Sequence, residues 1–450
     1  MPRASFALFT SVCLLSITSC LEAAEERIGP ADGRNIVVVV IDTLRADHLQ
    51  VYGYNKSTAP FLESIAPRSV VFDSAYGAST WTAPSTASLF TSLYPKDHGV
   101  WTGLWTFDTV ASLGFEVELN RIPPEAETMP EFMQSMGYRT FGFADNPNIA
   151  EAMGFARGFD FFAPGVDRGA PAVAEEVLAI RDQLKSDERP SFLYLHLMDP
   201  HMPYERRDPH FDLGTTVGPL EFREDLANYD SEIGRVDAVL ATLWDELGWG
   251  HDTLVIITSD HGEEFGDHGK NAHGPQLFNE LLRVPMIVHG ADENAALLFP
   301  PGRVAEPVCG IDLLPTLRGL LGADPSDDDR GVDLTGILES GDSELGRLLF
   351  PERPMEFVAT PFHVRAAIDG DFKLYSHSDE PVENLFNMAA DPGESKDIAG
   401  QEPEQFERLR DALNGHFAQN ALHDRSYSPP IQIDEESAAE LQKLGYSGDE

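Results

Sequence analysis

Asn35-Ile-Val-Val-Val-Val-Ile41, followed at once by Asp42, decides how this chain folds. A short β-branched run without polar alternation reads as a strand buried on both faces of a parallel sheet. A second such run, Thr253-Leu-Val-Ile-Ile-Thr258, leads into Ser259-Asp260-His261-Gly262. Ligands of open α/β sheets bind at the carboxyl ends of the strands, so Asp42, Asp260 and His261 are expected to converge there. Between the two runs stands Thr82-Ala-Pro84-Ser-Thr-Ala-Ser-Leu-Phe-Thr91. Pro84 suits the first turn of a helix. That places Thr82 at or just before the N-cap, where free N–H groups and the dipole face any anion. Taken alone, threonine is a common cap. Beside two carboxylates and an imidazole it is a candidate nucleophile, because a divalent cation lowers the pKa of a bound hydroxyl.

A third polar cluster, His196-Leu-Met-Asp199-Pro-His201-Met-Pro-Tyr204, follows the apolar run Ser191-Phe-Leu-Tyr-Leu195 and again marks a strand end. Asp199 and His201, with His273 further on, are candidate ligands of a second metal; His273 reads equally as a cation toward substrate, since imidazoles serve both roles. The set Asp42, Thr82, Asp260 and His261 is rich in oxygen with one nitrogen. Calcium takes oxygen only and more of it, so zinc or manganese is favoured, with calcium kept as an alternative and one or two ions expected.

Strands and helices alternate along the chain as in βαβ units. Leu62 to Ala66, Met129 to Met136 and Val173 to Leu184 read as helices. Tyr229, Ile233, Val236, Leu240, Leu243 and Leu247 recur at helical spacing and form one buried face, ended by Gly248. After about Leu349 the pattern changes. Asp369-Gly370 between Arg365-Ala-Ala-Ile368 and Phe372-Lys-Leu-Tyr375 signals a hairpin. Phe406, Leu409, Leu413 and Phe417 predict a covering amphipathic helix. The expected organisation is a leader over 1–24, a catalytic domain over 34–348, a small α+β subdomain over 349–418, and a strap with a short terminal helix over 419–450.

The leader carries Arg3, an apolar segment from Phe6 to Ile17, and then small residues, as an export signal does. Ile17-Thr-Ser-Cys20 resembles a bacterial lipoprotein cleavage box, in which Cys20 becomes the lipidated first residue; ordinary cleavage near Ala23-Ala24 is the other reading. Either gives an exported protein, periplasmic, membrane-anchored through Cys20, or extracellular. Beyond the leader cysteines Cys13 and Cys20, Cys309 stands alone, in an apolar setting that reads as a buried thiol. The formal net charge of −43, from 75 acidic and 32 basic residues, argues against nucleic acid or anionic membrane as a partner. An acidic surface also repels anionic substrates, so the active site must be locally positive. Oligomeric state is not readable.

Thr82-Ala-Pro-Ser-Thr86 with Tyr94-Pro-Lys-Asp-His-Gly99 resembles the signature of the sulfatase family, within the alkaline phosphatase superfamily. Asp42-Thr-Leu-Arg-Ala-Asp47, Ser259-Asp-His-Gly-Glu263, Leu282-Arg-Val-Pro-Met-Ile287 and Asp391-Pro-Gly-Glu394 follow other blocks of that family in order. The resemblance covers the chain from about Asn35 onward. It implies an α/β, alkaline phosphatase-like sandwich: a large, mostly parallel sheet flanked by helices, plus a small C-terminal antiparallel sheet. It also implies a metal-dependent hydrolase of a phosphate or sulfate ester on a small molecule, glycan or lipid. Sulfatases convert a Cys or Ser of the signature to formylglycine; here the position is Thr82, so no formylglycine is expected. The signature Arg is Thr86, and the paired aspartates are Ile41-Asp42, leaving one ligand missing. Thr82 is similar to the metal-bound nucleophile of the phosphodiesterase branch, where an asparagine holds the phosphoryl oxygen, a role for Asn146. His201 matches the family histidine that meets substrate, and His273 aligns with its sulfate-binding lysine; either is expected to protonate the leaving oxygen. Two rival readings are a membrane-associated transferase of phosphoryl head groups and a catalytically degenerate exported binding protein.

Overall fold

A computed structural model describes residues 29, 31, 33–104, 119–185, 189–207, 211, 218–274, 276–291, 296–341, 345–355, 362–378 and 382–427. The leader, Cys20 and the expected terminal helix lie outside the described residues. None of the described helices is long and apolar enough to cross a membrane.

Eight strands form the main sheet: β1 (Asn35–Ile41), β2 (Val70–Phe72), β3 (Arg139–Ala144), β4 (Phe161–Pro164), β5 (Ser191–Leu197), β6 (Thr253–Thr258), β7 (Met286–Gly290) and β8 (Gly302–Val304). Their order is β8-β2-β7-β6-β1-β5-β3-β4. From β6 to β4 all pairing is parallel, whereas β7 runs antiparallel to β6 and β2. The unalternating β1 run is explained by its two faces. Ile36, Val38 and Val40 belong to one core cluster, and Val37, Val39 and Ile41 to the other. Burying each such side chain contributes about 1.5–3 kcal/mol, so neither face of β1 tolerates a polar residue.

Helices α1 (Pro60–Ile65), α4 (Ala170–Ala179) and α5 (Arg223–Leu247) cover one face. Helices α2 (Thr82–Thr91), α3 (Met129–Ser135) and α6 (Leu313–Leu320) cover the other. The helix expected from Val173 to Leu184 is interrupted at Ile180 and resumes over Arg181–Lys185. A capping box of Thr128 and Glu131 starts α3, and Gly248 at φ 74° ends α5. Val40 pairs with both His196 and Thr258, and Ala144 with His196. That register lines up the carboxyl ends of β1, β3, β5 and β6 along one edge.

The C-terminal part is a four-stranded antiparallel sheet, β9 (Glu352–Met355), β10 (Phe362–Asp369), β11 (Phe372–His377) and β12 (Val382–Asn387), covered by α7 (Pro403–Phe417). The hairpin loop is Gly370-Asp371, one residue later than the sequence suggested, because Asp369 still pairs with Phe372. Gly370 takes φ 54°, the first central position of a hairpin turn where glycine is needed. A fully buried ion pair within this part ties the sheet to the main body through hydrogen bonds to Leu277 and Asn279. Lys373 Nζ lies 2.5 Å from Glu394 Oε1 and donates to the Leu277 carbonyl at 2.8 Å, while Glu394 Oε2 accepts from the Asn279 N–H at 2.6 Å. Removing one partner leaves an uncompensated buried charge. Lys373→Met is therefore expected to lower unfolding free energy by about 3–5 kcal/mol in denaturant titration.

A second buried carboxylate contributes to the pH dependence of stability. Glu232 on α5 accepts the Glu205 N–H at 3.1 Å through Oε1, and its Oε2 has no partner. Burial pushes its carboxyl up to about 9. The folded state thus holds a proton that the unfolded chain gives up near the usual glutamate value. Stability from this group is full below that value and is lost as pH rises toward 9. Glu232→Gln should flatten the slope: melting temperatures equal to wild type at pH 4 and higher than wild type at pH 9.

Candidate active site

Asp42 follows β1 directly, and its own N–H continues the ladder by donating to Leu197 O at 2.8 Å. The chain then turns sharply through Thr43, a buried β-branched residue at φ 57°. Such a residue in the left-handed region is strained. Its carbonyl is held by the Tyr229 hydroxyl at 2.7 Å. Asp260 and His261 extend β6, and the amide of Gly262 reaches Leu281 O at 2.8 Å. Helix α2 comes down on this tip. Ser85 Oγ donates to Asp260 O at 2.6 Å, and Gly77 passes so close that a Cβ there would lie 2.4 Å from the same oxygen. Trp81 is the N-cap of α2, so Thr82 is the first helical residue rather than the cap, and its side chain caps nothing.

These elements bring Asp42, Asp260 and His261 together, with one ligand atom of each within 4.8 Å of the others. Thr82 Oγ1 stands 3.4 Å from Asp42 Oδ2 and 3.4 Å from His261 Nε2. Asn146, just beyond β3, donates Nδ2 to Asp42 Oδ2 at 2.6 Å and lies 3.4 Å from Thr82 Oγ1. All five residues are buried. His261 Nδ1 faces the Gly262 carbonyl at 2.9 Å, which can only accept. The ring therefore carries its lone pair on Nε2, pointed at Thr82 and 3.5 Å from Asp260 Oδ2.

The electrostatics are those of a cation site. Burial pushes the Asp42 carboxyl up, but the hydrogen bond from His196 and the electrostatic attraction of the His201, His196 and His261 rings outweigh it and hold it well below the carboxylate range. Asp260 is pushed far above that range by burial and by Asp42 beside it. Asp42 Oδ1 and Asp260 Oδ2 are buried without hydrogen-bond partners. Two adjacent dry carboxylates with orphaned oxygens are stable as anions only around a positive charge. The donor set fits a divalent ion held by Asp42, Asp260, His261 and the Thr82 hydroxyl.

Sequence reading gave His196 no role, yet its Nε2 donates to Asp42 Oδ2 at 3.1 Å while Tyr194 OH donates to its Nδ1 at 3.0 Å. It aims the carboxylate, as partners of metal ligands do. A histidine in an otherwise apolar strand was the available signal. Asp199 is a correction. It accepts the Ala170 N–H at 2.5 Å at the start of α4 and sits 3.5 Å from Arg235, so it is a helix cap and not a ligand. A second metal thus loses the carboxylate it needed, and among the described residues the first site is the one such cluster. His201 and His273 instead form a wall with His261: ring centroids are 4.9 Å apart for His201–His273 and 4.8 Å for His261–His273. Burial and neighbouring imidazoles hold both below the usual histidine value, His273 at about 3. His273 Nδ1 contacts Glu263 at 3.1 Å; burial raises that carboxyl to about 7. Arg45 serves the scaffold, pairing with Asp47 and Asp267. Cys309 is buried and pushed up to about 12 by burial, an inert thiol.

Fold and site together define an α/β protein with a hydroxyl, two carboxylates and an imidazole at the sheet edge, a class suited to ester hydrolysis. The sulfatase family model matches residues 34–323, and the chain belongs to that family. It is similar to the ulvan-active sulfatase of Formosa agariphila, 24% identical over 455 residues and covering 91% of this chain and 84% of the relative. Arylsulfatase A of Homo sapiens is 27% identical over 478 residues, covering 87% and 89%. The crystal structure of a phosphonate monoester hydrolase of Agrobacterium radiobacter superposes with a TM-score of 0.68 at 19% identity, covering 88% of this chain and all of that one. This likeness bears out the alkaline phosphatase-like sandwich.

Metal analysis checks the site. Purified protein should carry close to one equivalent of a divalent ion, and Asp42→Asn should carry almost none. His196→Leu leaves every ligand in place and should weaken metal affinity by roughly 10- to 100-fold in competition with a chelator.

Proposed function

We propose that this chain hydrolyses a phosphate or sulfate ester with Thr82 as an unmodified alcohol nucleophile. The observation that carries the reading is Thr82 Oγ1, poised 3.4 Å from Asp42, His261 and Asn146 at once, on the first residue of a buried helix. Membership of the sulfatase family supports ester hydrolysis. A divalent ion at Asp42, Asp260 and His261 would acidify the hydroxyl and draw off negative charge.

Thr82 Oγ attacks phosphorus or sulfur as the bond to the leaving oxygen breaks. The Asn146 amide and the N-terminal N–H groups of α2 hold the oxygens that gain charge. The proton shed by Thr82 equals the one the leaving oxygen requires. His273 is suited to carry it, because its Nδ1–H bond to Glu263 puts the lone pair on Nε2. His201, with Nδ1 donating to the Met202 carbonyl at 2.6 Å, is arranged in the same way. Water then releases the group from Thr82. Export, through the leader and a lipid on Cys20, belongs to this proposal and rests on the Arg3 to Cys20 pattern.

A phosphate ester is favoured by one feature, the threonine itself, since formylglycine sulfatases start from Cys or Ser. Aryl phosphate monoester, aryl phosphate diester and aryl sulfate should be assayed side by side. Thr82→Ala should lower kcat on the best of them by roughly a thousandfold or more, and Thr82→Ser should retain turnover. Mass spectrometry of the peptide containing residue 82 should give the unmodified threonine mass. Turnover that survives in Thr82→Ala would refute the nucleophile.

A further inference from the structure

Arg353 is a buried cation that the chemistry above does not use. It lies on β9 of the C-terminal sheet, only 4% exposed. Its guanidinium stands 4.7 Å from the ring centroid of Trp81, the residue preceding Thr82. The Trp81 ring in turn lies 4.8 Å from that of His273. One Nη donates to the Trp101 carbonyl at 3.4 Å, and Nε is buried without a partner. Among the described residues no carboxylate is within ion-pair distance of Arg353. Glu352, next to it on the strand, faces the other way and accepts the Lys96 N–H at 2.5 Å. Burial lowers the Arg353 guanidinium to about 9, so it stays charged at neutral pH.

A buried charge without a counter-ion is costly. Stacking on an indole recovers part of that cost, on the order of 2 kcal/mol when desolvated. It leaves Nε unsatisfied, and the edge of the guanidinium that carries Nε matches an oxyanion in two parallel hydrogen bonds. The position matters as much as the charge. In a chain of formal net charge −43, an arginine with no carboxylate beside it among the described residues, one ring away from the histidine wall, supplies local positive potential next to the site.

We infer that Arg353 binds a second anionic group carried by the substrate beside the ester, so that the site selects molecules with a carboxylate or a further ester oxyanion next to the reacting one. This rests on the site assignment of the proposed function and names its substrate class: esters of acidic compounds rather than of neutral alcohols. Arg353 would be a positioning and specificity residue, set by the C-terminal sheet.

The test reads binding, not turnover. Ethylphosphonate, 3-phosphonopropionate and ethane-1,2-diphosphonate share a spacer and differ in the second group: none, carboxylate or phosphonate. Calorimetry on the purified full-length protein, without added metal, gives their affinities. At least one of the two-headed ligands should bind about tenfold or more tighter than ethylphosphonate, the worth of a charge-assisted hydrogen bond; which one names the group. In Arg353→Gln the ratio should fall to about one, and Arg353→Lys should keep part of it. Should Arg353→Gln fail to fold, judged by its melting curve, the Arg353→Lys ratio decides alone, and a ratio equal to wild type there overturns the inference. A ratio near one in wild type, or one that survives in Arg353→Gln, overturns it as well. Failure of all three ligands to bind wild type would refute the active-site reading itself.

Discussion

Two buried carboxylates at neighbouring strand tips cannot both be anions in a dry site without a cation between them. Asp42 and Asp260 are such a pair, each with an oxygen that meets no donor. The surrounding structure is arranged to hold that unfavourable juxtaposition in place. β1 and β6 pair in parallel, residue against residue, up to Val40 and Thr258. The hydrophobic packing of both sheet faces therefore supplies the energy that keeps the two acids adjacent. Thr43 at its strained φ and the Ser85 bond to Asp260 are local consequences of the same demand.

Around the carboxylates, backbone carbonyls and a carboxylate choose histidine tautomers. His261, His201 and His273 each have Nδ1 against an acceptor, Gly262 O, Met202 O and Glu263 respectively. Each thereby presents Nε2 as its basic atom. His196 is reversed: Nε2 donates to Asp42 and Nδ1 accepts from Tyr194. Three imidazoles are thus kept as bases or ligands and one as a donor, by partners that are cheap in sequence terms and invisible in it.

The C-terminal sheet reaches the same region from outside the parallel core. The buried Lys373–Glu394 pair and Asn279 fix its position on the main body. With that position fixed, β9 delivers Arg353 onto Trp81. A substrate bound at Thr82 would therefore meet groups from both parts of the chain, chemistry from the parallel sheet and selection from the antiparallel one.

The residue pattern pointed to the parallel sheet, to the edge at which the candidate site lies and to Asp42, Thr82, Asp260 and His261 as its candidates, and the family resemblance added Asn146. It could do so because strand burial and strand-end polar residues leave a periodic, local signature, and because the signature blocks occur in family order. The tertiary structure decided what depends on neighbours far apart in sequence. Asp199 became a helix cap because α4 begins against it, which removed the second-metal reading. His196 gained its role only through the register that sets β5 beside β1. Thr82 moved from cap to first helical residue because Trp81 takes the extended conformation before it. Arg353 lies 271 positions beyond Thr82 in the chain, and no local pattern could show that a strand of another sheet would seat its charge beside the helix that Thr82 begins.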